Sequence, residues 1–125
     1  MDNYIENIRP GWNYAQARLV DNLDLSPVVT QVLHASCMWK KLTVYNKGKG
    51  GLVGAIHLQL VPDANRENVI AAIHQLDELG FISIDSFPGP VVSKDCITYF
   101  LTVNIRKIID RYDEITDEKF YSKLF

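Results

Sequence analysis

Apolar residues recur every three or four positions along three segments of the chain, which is the pattern of amphipathic helices. The first segment follows Ser26, which can cap a helix, and Pro27, which fits the first helical position. The second ends at Gly80, and the third follows Asn104. A shorter helix is predicted at 14–23. The predicted buried stripe of the second helix consists of Val69, Ile70, Ile73, Leu76 and Leu79.

Between these helices, short runs of β-branched and aromatic residues predict strands. Two runs, 81–84 and 96–103, lie on either side of a Pro-Gly-Pro sequence at 88–90 that turns the chain. A third strand is predicted at 42–45. The stretch 52–61 is ambiguous. Apolar residues alternate with polar ones over 56–60, which favours a strand, and a short helix is the open alternative.

The end of the second helix carries a resemblance to a known family. Its residues Gln75-Leu76-Asp77-Glu78-Leu79-Gly80-Phe81-Ile82 are similar to the junction between recognition helix and wing in winged helix-turn-helix domains. These domains occur in bacterial and phage regulators and in phage replication-organiser proteins. The start of the first helix, Leu25-Ser26-Pro27, also resembles theirs, as does the order of helix, glycine, strand, loop and strand.

The resemblance implies an α+β fold with a winged helix-turn-helix core and flanking helices. The core is expected at 25–103, with an N-terminal extension at 1–24 and a C-terminal helical extension at 104–125. The family has a short helix between the first helix and the recognition helix, where this chain has 54–60. If 54–60 is a strand instead, a small α+β sandwich is the alternative fold.

The same resemblance implies non-catalytic binding of double-stranded DNA, by a small transcriptional regulator or replication-accessory factor of bacterial or phage type. The helix that begins after a cap at Asp63 or Asn65 is then the recognition helix. Its first outward residues, Asn65, Arg66 and Asn68, are expected to contact bases in the major groove. Arginine pairs with guanine and asparagine with adenine.

Lysines form the densest positive cluster of the sequence around a glycine-rich segment. The glycines between 46 and 51 would let this segment follow a phosphate backbone, and a further lysine lies in the expected wing. We expect phosphate contacts from Lys40, Lys41, Lys47, Lys49 and Lys94. A solvated loop is the competing interpretation.

The overall charge argues against a simple DNA-binding interpretation. Thirteen Lys and Arg residues against fifteen Asp and Glu give a net charge of −2, whereas small DNA-binding domains are usually basic. The protein must therefore bind DNA through a local patch, or bind another protein. The second hypothesis is a protein-binding module on a similar scaffold, such as a phage-encoded inhibitor of a host protein.

No motif for catalysis, metal binding or cofactor binding is recognisable in the sequence. The three histidines lack partners at metal-ligand spacing, and no nucleophile or P-loop motif occurs. The chain has no apolar run of the roughly 18 residues that a membrane helix needs, and its start does not resemble a signal peptide. The sequence therefore predicts a cytoplasmic protein that is not an enzyme, has no cofactor and does not insert in a membrane.

Large apolar residues are concentrated at both ends of the sequence, outside the expected winged-helix core. Winged-helix regulators often pair through such extensions, and a two-fold dimer reads two half-sites. The hypothesis is a homodimer, and packing within the monomer is the competing explanation. The expected interface consists of Ile108, Ile109, Tyr112, Phe120 and Phe125.

Overall fold

The computed structural model describes residues 14–39, 41–45, 52–53, 65–87 and 89–117, and the structural statements below concern these residues. The helices are α1 (Tyr14–Asp21), α2 (Pro27–Met38), α3 (Arg66–Glu78) and α4 (Ile105–Thr116). The strands are β1 (Lys41–Tyr45), β2 (Leu52–Val53), β3 (Ile82–Ile84), β4 (Val91–Val92) and β5 (Cys96–Val103). The described chain therefore has a mixed α+β fold, as the sequence predicts.

The longest strand, β5, lies at the centre of an antiparallel sheet in the order β2-β1-β5-β3, and β4 also pairs with β5. Ile97 and Thr98 pair both with β1 and with β4. A strand has only two edges, so β1 and β4 lie on opposite edges of β5. Strands β3 and β4 follow one another along the chain and pair with successive parts of β5.

A single hydrophobic core includes residues of all the described helices and of strands β1, β3 and β5. On β5, Tyr99, Leu101 and Val103 are buried, whereas Thr102 between them is exposed. This alternation places every second residue against the helices. On β1, Leu42 and Val44 are buried in the same way.

The starts of three helices agree with the caps that the sequence predicts. The Ser26 hydroxyl accepts a hydrogen bond from the Val29 amide, at 3.4 Å. Asn65 caps α3, and its side-chain oxygen accepts from the Asn68 amide at 2.9 Å. Asn104 caps α4 by accepting from the Lys107 amide at 3.1 Å. Each bond satisfies a backbone N–H that has no partner inside the helix.

The junction between α3 and β3 is confirmed as a glycine stop. Gly80 adopts a positive φ of 82°, and the Phe81 amide donates to the Leu76 carbonyl at 3.1 Å. This is the geometry of a left-handed helix end, which glycine adopts without steric cost. Leu79, predicted on the buried stripe, is 40% exposed, because the chain turns here and Phe81, at 3% exposed, enters the core instead.

Two further predictions about elements need correction. Trp39 continues the three- and four-residue spacing of apolar residues in the first helix, which predicts that it faces inward. It is exposed because the chain at this residue is already extended, with φ −132° and ψ 140°. Strand β4 is not predicted by the sequence, since it has only two residues and so no readable alternation. Strand β2 begins the stretch 52–61, for which the sequence favours a strand. The ambiguous segment 54–60 lies outside the described residues.

The expected dimer surface on α4 is contradicted by the packing of the monomer. Ile108, Ile109 and Tyr112 are fully buried in the core of the single chain. These residues form the apolar stripe of α4, which packs into the core and contacts α1, so they are unavailable to a second copy. Phe120 and Phe125 lie outside the described residues.

Within the described residues, no helix has the length and apolar character needed to cross a bilayer.

Candidate nucleic-acid interface

Helix α3 presents its first turn at the surface. Asn65 and Asn68 are exposed, as the base-contact hypothesis requires, whereas Arg66 is half-buried. The side-chain oxygen of Asn65 already accepts the Asn68 amide hydrogen bond, so only its amide nitrogen could donate to a base without loss of the cap. The first turn therefore offers exposed amide groups, and its arginine is partly withdrawn from solvent.

Arg66 lies on the side of α3 that faces the sheet. Burial raises the pKa of the Tyr99 hydroxyl above its usual 10.0, and the nearby positive charge of Arg66 opposes part of this increase. The ring of His74, two turns further along α3, meets the Tyr99 ring edge-on, with 5.8 Å between the ring centroids. Arg66 and His74 thus both lie close to Tyr99, on the side of α3 that faces β5.

The other side of α3 forms one wall of a groove of about 390 Å³. The facing wall is the first turn of α2. Residues that line the groove are Ser26, Pro27, Val28, Val29, Asn68, Ala71, Ala72 and Gln75. Asn68, Ala71 and Gln75 are exposed and follow one another at helical spacing, so one face of α3 carries two amides around a methyl group.

Three carboxylates lie on the exposed surface of α3 and do not line this groove. They are Glu67, Asp77 and Glu78. Glu67 lies in the first turn, where a negative charge is favoured by the helix dipole. Close to a phosphate backbone the same charge would be repelled. The surface of α3 is therefore polar but carries no excess of positive charge.

The turn between β4 and β5 carries one of the expected phosphate contacts. The Ser93 amide donates to the Cys96 carbonyl at 2.8 Å, which closes the turn around the exposed Lys94. Tyr45 of β1 pairs with Cys96, so β1 ends beside this turn. The segment that contains Lys47 and Lys49 follows Tyr45 in sequence, although both lysines lie outside the described residues, as does Lys40.

Lys41 is not brought near Lys94. It pairs with Phe100, at the other end of β1 from Tyr45, and Phe100 lies four positions along β5 from Cys96. At a strand rise of about 3.3 Å per residue this is roughly 13 Å, which is more than a direct contact allows. The expected phosphate-binding lysines therefore do not form one cluster among the described residues.

The acidic residues of α4 lie towards the opposite end of β5. Helix α4 begins directly after Val103, and the Asn104 amide donates to the Phe81 carbonyl at 2.9 Å. A second groove, of about 450 Å³, lies between α4 and the end of α3. Its walls include Leu79, Phe81, Lys107, Asp110 and Glu114. Sequence analysis did not identify this groove, because its residues come from separate elements that meet only in the fold.

The described residues contain no group of three or more metal-binding side chains. His34 is buried between α1 and α2, and its Nε2 donates to the Asp21 carboxylate at 2.7 Å. This contact fixes the two helices to one another. No protein-family model, curated protein or solved structure matches the chain.

Proposed function

We propose that the protein binds double-stranded DNA through a winged helix-turn-helix core, as a small regulator or replication-accessory factor in the cytoplasm. The single observation that supports this most is the position of β5. It lies between β1, which follows α2, and β3 and β4, which follow α3 through the Gly80 junction. In winged-helix domains the strand after the first helix and the hairpin after the recognition helix pair in this way.

In this arrangement α3 is the recognition helix and the β4–β5 turn is the tip of the wing. The exposed amides of α3 face solvent on the side of α2, where base edges could reach them. Lys94 is exposed at the tip of the wing and would contact a phosphate. The acidic end of α4 lies beyond the other end of β5, where it would not face the duplex.

Duplex binding can be tested with two exposed lysines from opposite ends of the sheet. Lys94→Gln should weaken the binding of every duplex alike and reduce the slope of log K against log salt by about 1, because one phosphate contact is lost. Lys107→Gln, at the α3–α4 groove, is the matched control and should leave the affinity unchanged. Equal losses in both variants would contradict the proposed orientation of the domain on DNA.

A protein-binding module is the second candidate, and the exposed apolar residues of the wing favour it. Phe87, which lies between β3 and β4, is 93% exposed, and Val92 of β4, which pairs with β5, is 74% exposed. Exposed apolar groups of this size are typical of protein interfaces. Retention on duplex DNA at low salt separates the candidates, because a module with no DNA function should elute with the void volume.

A further inference from the structure

The sheet has a second face, which points away from the helices. Residues of β5 alternate between the two sides of the sheet, and Phe100 and Thr102 lie on the side opposite the core, which we call the outer face. On β1, the burial of every second residue places Lys41 and Thr43 there. The hydroxyl oxygens of Thr43 and Thr98 are 3.0 Å apart, so β1 and β5 share this face. All the described helices contribute to the core on the other side, so none of them covers the outer face.

Three neighbouring strands place a lysine, an aromatic ring and a carboxylate in one row across the outer face. Lys41 of β1 pairs with Phe100. On the other edge of β5, the Asp85 amide donates to the Phe100 carbonyl at 2.8 Å, so Asp85 continues the pairing of β3 with β5. The Thr102 hydroxyl donates to the Asp85 carboxylate at 3.5 Å, which places this carboxylate on the outer face. The ring of Phe100 therefore lies between two opposite charges.

These two charges do not pair with each other within one chain. Adjacent strands lie about 4.8 Å apart, so the backbones of Lys41 and Asp85, two strands apart, are roughly 10 Å from one another. Among the described residues, neither side chain forms an ion pair. Lys41 is exposed and Asp85 is half-buried. Both are therefore available to a partner that carries the same two charges in the reverse order.

We infer that this partner is a second copy of the chain, and that the two copies pair through their outer faces. A two-fold axis that runs parallel to β5 above Phe100 reverses the order of the row, so Lys41 of each copy faces Asp85 of the other. Stacked sheets lie about 10 Å apart, a gap that these two side chains span together. The Phe100 rings of the two copies meet near the axis, where they can pack on one another. The interface thus has two identical ion pairs around an aromatic centre.

The next row of the outer face is compatible with the same axis. Thr98 pairs with Thr43 on one edge and with Val91 on the other. The axis therefore brings Thr98 against Thr98 and Thr43 against Val91, and none of these residues is charged. Val91 is 47% exposed in the single chain, so the contact would remove apolar surface from water. The helices lie on the far sides of both sheets, and the inference does not rest on the proposed binding of DNA.

Sedimentation velocity at increasing protein concentration tests this pairing. The wild type should show a dimer fraction that rises with concentration, since a face of only a few short strands supports a reversible contact. Lys41→Glu and Asp85→Lys should each weaken the dimer at least about tenfold, because like charges then face each other in both pairs. A mixture of the two variants should recover the dimer, because every substituted and every native residue of the row then faces its opposite charge.

Lys107→Glu and Asp110→Lys are the matched controls. They make the same changes in net charge at exposed positions of α4, outside the outer face, and should dimerise as the wild type does. Asp85→Asn keeps an acceptor for the Thr102 hydroxyl, so it should weaken the dimer less than Asp85→Lys and serves if the latter does not fold. Circular dichroism shows which variants are folded.

A monomeric wild type at every concentration would overturn the inference. A dimer that Lys41→Glu leaves unchanged would do the same, since it would place the contact on another surface. A mixture of folded Lys41→Glu and Asp85→Lys chains that remains monomeric would show that the two charges do not meet across the interface. None of these results bears on duplex binding, which the affinity measurements test separately.

Discussion

At the scale of single residues, Tyr99 links α3 to the sheet. It is buried on β5 close to Arg66 and His74 of α3, and this burial raises the pKa of its hydroxyl above 10.0, with the charge of Arg66 opposing part of the rise. A phenol with a raised pKa keeps its proton in the folded state at a pH where the unfolded chain has lost it. The folded state is therefore favoured below pH 10 and loses this advantage as the pH rises further.

The first prediction follows from the raised pKa of Tyr99. The free energy of unfolding of the wild type should fall as the pH rises above 10.0, and Tyr99→Phe should remove part of that fall because phenylalanine does not ionise. Urea unfolding at a series of pH values measures both proteins. Since lysines titrate in the same range, the difference between the two curves is the quantity that matters. Parallel curves would show that Tyr99 ionises equally in both states.

Glu67 provides a second prediction at this scale. It is exposed in the first turn of α3, the end of the helix that the proposal places at the duplex. Glu67→Gln removes a charge that repels phosphates, so it should tighten the binding of all duplexes and steepen the salt dependence of the affinity. Glu114→Gln, on α4, is the control and should have no effect. Weaker binding by Glu67→Gln would indicate that the carboxylate contacts a base directly.

At the scale of elements, the helices follow from the sequence because their caps and stripes are local. Ser26, Asn65 and Asn104 cap the helices as predicted, and Val69, Ile73 and Leu76 are buried. Leu79 departs from the stripe because the position of the turn at Gly80 decides its exposure.

This difference gives a prediction with an internal control. Leu76→Ala should lower the free energy of unfolding by about 2–5 kcal/mol, because it leaves a cavity in the core. Leu79→Ala, three residues along the same helix, should cost much less because the side chain is 40% exposed. Chemical denaturation of both variants measures the two losses. Similar losses would mean that Leu79 is as deeply buried as Leu76, which would contradict the end of α3 at Gly80.

The elements that the sequence does not predict depend on contacts between distant parts of the chain. Strand β4, for example, is defined only by its pairing with Ile97 and Thr98 of β5. For the same reason, the sequence predicts only part of the candidate site. Asn65 and Asn68 are exposed as expected, but the proximity of Arg66 to Tyr99 could not be read from the local pattern.

At the scale of the whole molecule, the burial of Ile108, Ile109 and Tyr112 removes the described part of the expected dimer interface. A dimer remains a prediction, and it must use other surfaces. The exposed wing residues Phe87 and Val92 are one such surface. Light scattering of the wild type measures the oligomeric state, and a dimer that persists in a Phe87→Ser variant would place the contact elsewhere.

The charge distribution of the whole molecule sets the limit on its affinity for DNA. With a net charge of −2, long-range attraction to a duplex is absent, so binding must come from local contacts of the wing and of the lysines around β1. Such binding is strongest at low ionic strength and weakens steeply as salt competes for the phosphates.

The most direct test of the central claim is therefore the affinity of the wild-type protein for a duplex as a function of salt. The account predicts measurable binding at low salt and a linear decrease of log K with log salt. The slope should correspond to a few phosphate contacts, at about 0.9 per contact. No binding at the lowest salt concentration at which the protein remains folded would contradict the account, and it would favour the protein-binding candidate.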